Sequence, residues 1–257
     1  MVELSGHAVH RTMVVVDIAG FGSPSRTLPH QIGAREGLYA VVAEALRFAG
    51  IPWESCYHED RGDGVVVLVP PEFPKAPLVE LVPEALVRGV RRHNNTSHEA
   101  ARFRLRLAVH AGEVATDRHG MTSTSLTTAF RLLDAPPLKE ALAGSPGVLA
   151  MIVSGTVFDE VVRHSAVLDT ADFRAAEIAV KEVRETAWIT LPDHHLPGHP
   201  SPDDHRQADT TGPRQNLNAS GNETTATTYH QHISGGGGGA QGPGASVVVN
   251  HNHAPGS

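Results

Sequence analysis

The stretch Val14-Val15-Val16-Asp17-Ile18-Ala19-Gly20-Phe21 most limits what this chain can become. An unbroken β-branched run without apolar–polar alternation is the pattern of a strand buried on both faces, so residues 12–18 are expected at the centre of a sheet. That strand delivers a carboxylate into a glycine turn. A second acidic turn, Arg61-Gly62-Asp63-Gly64, lies between two β-rich segments at 54–58 and 65–69. Its glycines accept positive φ, which makes it a hairpin with Asp63 at the tip. Two aspartates on neighbouring strand ends can ligate Mg²⁺, a hard cation that keeps positions free for substrate phosphates. Taken singly, each acid has an alternative role as a turn residue.

The rest of the chain divides by composition. From about 10 to 192, apolar strands alternate with longer helical patterns. From 193 to 257 the sequence is rich in Pro, Gly, His, Asn and Thr and nearly devoid of large apolar residues, so it cannot bury enough surface to offset its ordering entropy. The expected organisation is a flexible N-terminus at 1–9, a domain at 10–192 and a disordered tail at 193–257. Within the domain, helices are expected at 29–48, 77–93, 125–133 and 156–163. Further strands are expected at 103–111, 149–153, 176–183 and 187–191. Pro136-Pro137 stops the third helix, because proline lacks the donor and clashes with the preceding turn. This order predicts an α/β sandwich, with helices packed on a mixed sheet.

Composition also excludes. A formal charge of −7 argues against broad binding to nucleic acid, which needs a basic surface. The local group Arg88, Arg91, Arg92 and His93 reads as the wet end of a helix. The single cysteine, Cys56, permits no internal disulfide and stands in no zinc-like spacing, which suits a reducing compartment. There is no apolar run of signal or membrane-span length, so a cytoplasmic protein with no membrane association is expected.

Four segments together resemble the class III nucleotidyl cyclase domain, the family of adenylate and guanylate cyclases. Val16-Asp17-Ile18-Ala19-Gly20-Phe21 is similar to that family's first metal motif, and Arg61-Gly62-Asp63 to its second. Arg106-Leu107-Ala108-Val109-His110-Ala111-Gly112-Glu113-Val114 resembles the strand leading into the nucleotide site, with Ala108 where glycine is usual. Leu126-Thr127-Thr128-Ala129-Phe130-Arg131-Leu132 resembles the helix carrying the transition-state residues.

The resemblance implies a ferredoxin-like cyclase fold and a homodimer whose sites form between subunits. It also implies conversion of a nucleoside triphosphate to a 3′,5′-cyclic nucleotide and pyrophosphate. Asp17, Asp63 and the Ile18 carbonyl would hold two Mg²⁺ or Mn²⁺ ions per site. Arg131 would stabilise charge on the α-phosphate, and Thr127 stands where the family has a ribose-orienting asparagine. Glu59 aligns with the base-reading position; a carboxylate there accepts from guanine or from another base's exocyclic amine. Lys181 would contact phosphate, its alternative being a solvated edge-strand lysine that discourages aggregation. Gly120-Met121-Thr122-Ser123-Thr124-Ser125 lacks the glycine that usually precedes the helix. The runner-up is a degenerate cyclase fold that binds a nucleotide or a partner without turnover.

Other residues have structural expectations. His110 is expected buried and hydrogen-bonded on the core strand, and Trp53 and Trp188 as packing residues. In the tail, His230-Gln231-His232 and His251-Asn252-His253 read as solvated, weakly metal-binding at most. Ser246-Val247-Val248-Val249-Asn250 is a strong β-former, and it suggests self-assembly or recruitment of a protein partner.

Overall fold

The computed structural model describes residues 7–194; the tail readings lie outside them. Strand β1 (Val9–Ile18) is followed by α1 (Leu28–Phe48), the hairpin β2 (Tyr57–Asp60) and β3 (Gly64–Val69), then α2 (Ala76–Glu80) and α3 (Val82–Thr96). Next come β4 (Leu105–Asp117), β5 (Gly120–Thr122), α4 (Thr124–Leu133) and α5 (Pro136–Ala143). The described part closes with β6 (Leu149–Ser154), α6 (Gly155–Glu160), β7 (Arg174–Val180) and β8 (Val183–Thr190). The main sheet runs β2-β3-β1-β4-β6-β8-β7, with β5 paired to β4. It is mixed: β1 is antiparallel to β3 and β4, whereas β4 and β6 are parallel.

β1 lies in the interior of the sheet, and residues 12–18 are all buried, as the unbroken apolar run requires. Val14, Val16 and Ile18 face a layer that includes Leu38 and Leu46 of α1, Leu86 and Val90 of α3 and Phe158 of α6. Met13 and Val15 face the opposite layer, built on Leu126, Ala129 and Leu132 of α4 and Leu138 and Leu142 of α5. Period-2 alternation therefore places Asp17 on the α4 side.

Several element boundaries differ from those expected. Residues 54–58 are not one strand: Trp53–Ser55 is a 3₁₀ turn and β2 begins at Tyr57. The helix expected at 77–93 is two, divided at Leu81, each with a proline in its first turn, where a missing N–H costs nothing. The same rule makes Pro136-Pro137 begin α5 as well as end α4. β4 extends to Asp117 and turns into β5, which the sequence did not reveal. The helix at 156–163 ends at Glu160, with a 3₁₀ turn at Val162–His164. The final hairpin turns at Lys181-Glu182 rather than after Val183. Val9 already belongs to β1, and Asp193 packs into the domain, its Oδ2 accepting from the Val148 N–H at 2.9 Å and pairing with Arg91 at 3.0 Å.

The basic residues of α3 are paired with acids and do not form a free patch. Arg88 meets Glu84, Arg92 meets Glu44 and Arg91 meets Asp193. Cys56 is buried, which pushes its thiol up to about 11 and leaves it unreactive at neutral pH. Trp188 stacks on Phe158 at 3.7 Å and Trp53 packs on Tyr39 and His58, as expected of packing residues. Among the described residues no helix is long and apolar enough to cross a membrane.

α4 packs tightly on the sheet at Gly112. A Cβ there would collide with the Ser125 hydroxyl and lie 2.7 Å from Ser125 Cβ. Gly112→Ala is expected to lower unfolding free energy by about 1–3 kcal/mol, the usual cost of overpacking, measured by urea denaturation. An unchanged midpoint would mean that α4 is not held so tightly.

Candidate active site at the end of the central strand

Asp17 is the penultimate residue of β1 and pairs in register with Gly64 of β3 and Arg106 of β4. Asp63 precedes Gly64, and its carbonyl accepts the Ile18 N–H at 2.9 Å. The turn between the strands is closed by the Arg61 N–H donating to the Gly64 carbonyl at 2.9 Å, with Gly62 at φ +82°. The left-handed conformation is the reason for a glycine there. Asp60 Oδ1 accepts from the Gly62 N–H at 2.9 Å, and Arg35 of α1 bridges the Asp60 carboxylate and the Gly62 carbonyl. Arg35, which the sequence did not single out, thus fixes the turn that carries Asp63; its contact holds the Asp60 carboxyl below the usual range.

Asp17 is buried, and both its oxygens are occupied. Arg106 donates from Nε to Oδ1 at 2.8 Å and from Nη2 to Oδ2 at 2.6 Å, with both side chains only 12–13% exposed. Burial raises the Asp17 carboxyl to about 6; Arg106 opposes the rise without cancelling it, and the charges of Asp63 and Asp134 add to it. Sequence reading missed Arg106, although cross-strand pairing of opposite charges is the signal that would reveal it.

Asp17, Asp63 and the Ile18 carbonyl are oxygen donors of the kind hard divalent cations prefer. They fit such an ion on two conditions: Arg106 must release Asp17, and the remaining positions must be filled by ligand or water. Among the described residues no group of three or more His, Cys, Asp or Glu side chains could hold a metal.

The other expected site residues form a second cluster. Arg131 donates from Nε and Nη2 to Glu182 Oε1 at 3.2 and 3.1 Å. Lys181 is not on a strand but in the β7–β8 turn, exposed, at φ +52°. Thr127 donates its hydroxyl to the Ser123 carbonyl at 3.2 Å, one turn back on its own helix, so the hydroxyl hydrogen is already used. Glu59 pairs with Arg61 at 3.1 Å, and the Arg61 guanidinium lies over the Phe130 ring at 4.8 Å, joining the β2–β3 hairpin to α4. Among the described residues no hydrogen bond or ion pair connects Arg131 to Asp17 or Asp63.

His110 is buried as expected but not hydrogen-bonded as expected: its Nδ1 has no partner among the described residues. Burial, with a smaller contribution from the charge of His10, lowers it to about 4 and keeps the ring neutral.

The Asp17 carboxyl titrates near 6 when folded and at 3.8 ordinarily, so between these values the folded protein holds more protons than the unfolded one. Its contribution to stability then declines as pH rises through that window. The difference in unfolding free energy between wild type and Asp17→Asn, measured by urea denaturation in chelator, is expected to fall from pH 4 to about 6 and level off above that. A difference that is flat throughout would show that Asp17 titrates normally.

No family model matches the sequence, and no curated protein matches it. Solved structures do. An adenylate/guanylate cyclase/hydrolase from Silicibacter pomeroyi is 16% identical and aligns over 73% of this chain and 99% of that one, with a TM-score of 0.52. The guanylyl cyclase Cya2 is 15% identical over 75% and 98%, with a TM-score of 0.51. The chain shares the fold of these adenylate and guanylate cyclase structures.

Proposed function

We propose that this protein is a nucleotidyl cyclase acting at a homodimer interface. The observation that carries the reading is the meeting of β1 and β3, which sets Asp63 beside Ile18 and next to the buried Asp17. Two acids at one sheet edge, in a cyclase fold, suit a nucleoside triphosphate.

Asp17, Asp63 and the Ile18 carbonyl would hold two Mg²⁺ or Mn²⁺ ions, which when bound acidify the ribose 3′-hydroxyl and neutralise phosphate charge. The 3′-oxygen forms a bond to the α-phosphorus, the α–β bridging bond breaks, pyrophosphate leaves and the hydroxyl proton passes to solvent. Arg131 would come from the partner subunit, with its free N–H groups directed at the α-phosphate. Lys181, exposed at its turn, would contact the phosphates. Glu59 would accept from the N–H edge of guanine or from an exocyclic amine once Arg61 yields it. The reading puts this reaction in the cytoplasm.

A specific observation favours the alternative of a nucleotide- or partner-binding module without turnover, its tail serving assembly. With its hydrogen given to Ser123, Thr127 offers the ribose only a lone pair, where an asparagine amide would donate.

Incubating the purified protein with each of the four triphosphates and Mg²⁺ or Mn²⁺ is expected to yield a cyclic nucleotide. Arg131→Ala should lower kcat by about 10²–10³-fold, the cost of losing a preorganised charge donor. No cyclic product from any triphosphate, with wild type no better than Asp63→Ala, would sink the catalytic reading; nucleotide binding by calorimetry without turnover would select the alternative. Thr127→Asn is expected to raise kcat about tenfold, equivalent to restoring one hydrogen bond of about 1.4 kcal/mol. If kcat is unchanged or lower, the ribose end is not what limits the enzyme.

A further inference from the structure

We infer that Arg106 is a resident counter-cation of the metal position, and that a divalent ion enters by exchange with it. The inference rests on Asp17 being a metal ligand, as proposed above, and it concerns what this chain does before any ion arrives.

Asp17 presents both oxygens to one guanidinium in a two-point contact of 2.8 and 2.6 Å. Such planar, charge-assisted pairing fills the lone pairs that face the guanidinium. An ion cannot take either oxygen inward without weakening it. Leaving Asp17 bare is the costly alternative, because an unpaired charge at this depth is strongly unfavourable. Asp63 and Asp134 add negative charge to the same corner. An ionised Asp17 therefore needs a cation beside it, and Arg106 supplies it from the adjacent strand, held in register opposite Asp17.

Exchange has a quantitative consequence. If the ion-competent conformer is the one with Arg106 released, the apparent dissociation constant equals the intrinsic one divided by that conformer's population. Arg106 thus sets a threshold, so that the ion binds weakly until its concentration, or a bound polyanion that attracts the freed guanidinium, tips the exchange.

The test needs no turnover. Mn²⁺ binding to the full chain, without nucleotide, is measured by the electron paramagnetic resonance signal of the free ion for wild type, Arg106→Gln, Arg106→Lys and Asp17→Asn. Arg106→Gln is expected to bind about tenfold more tightly, as for a conformer populated near one tenth in wild type. Arg106→Lys keeps the charge but cannot span both oxygens, so it should also tighten binding. This separates exchange from simple removal of positive charge, and carries the test if Arg106→Gln fails to fold. In wild type labelled with ¹⁵N-arginine, Mg²⁺ should shift the Arg106 Nε–H resonance with the midpoint of ion binding, and should not do so in Asp17→Asn. Unchanged or weaker binding in Arg106→Lys, or Mg²⁺ binding that leaves the Nε–H signal in place, overturns the inference. If the ion binds by exchange and no cyclic product ever forms, the catalytic reading fails and this one stands. If no variant binds Mn²⁺, this inference fails with the metal assignment.

Discussion

Burial of β1 on both faces is the constraint on which the rest depends. A strand packed by α1, α3 and α6 on one side and by α4 and α5 on the other can shift neither its register nor its facing without turning apolar side chains into water. Its last residues are therefore fixed by the core, not by the site. Asp17 stands on the α4 face because Met13 and Val15 must. Gly64 pairs with it because Val65 to Val69 complete the same sheet, which leaves Asp63 no place but beside Ile18. The geometry of the acidic corner is a by-product of hydrophobic packing, and for that reason it is rigid.

Rigidity at such a corner creates an electrostatic problem, and the protein meets it with internal partners. Asp17 is held by Arg106, Asp60 by Arg35, Glu59 by Arg61 and Arg131 by Glu182. These pairs are not equivalent. Those of Arg131 and Glu59 are exposed enough for water and salt to screen them, so a charged ligand displaces them at small cost. The Asp17–Arg106 pair is desolvated on both sides and cannot simply open. Whatever enters there has to bring compensating charge, and so this corner is selective before any ligand geometry is considered.

Legibility in the sequence followed the range of the determining interactions. β1, the acidic hairpin turn and α4 are readable because each is fixed by local signals: a β-branched run, the positive-φ Gly62 and a helical stretch ended by Pro136-Pro137. Pro77 stands at a helix start as expected, whereas Pro83, inside the expected helix, and Pro136, expected only as a stop, each also begin one. The β7–β8 turn was misplaced because Lys181, not a glycine, takes the left-handed position. Arg106 and Arg35 escaped notice because their meaning arises only across strands or between a helix and a turn. Nothing within a few residues of either announces a partner 89 or 25 positions away.

This difference in range separates the two ends of the site. The acidic end is built by long-range packing, and substitutions elsewhere in the sheet would have to break the core before they disturbed it. The proposed ribose end depends on one side chain on a helix surface, and there a local competitor has won: the Thr127 hydroxyl returns to the Ser123 carbonyl of its own helix. A β-branched hydroxyl in a helix satisfies itself with the backbone a turn behind, whereas an asparagine amide is long enough to reach outward. One end of the site thus keeps its geometry because the core fixes the strand that carries it, while the other is set by a single rotamer that the fold ignores. The proposed catalysis would turn on the residue that stability does not protect.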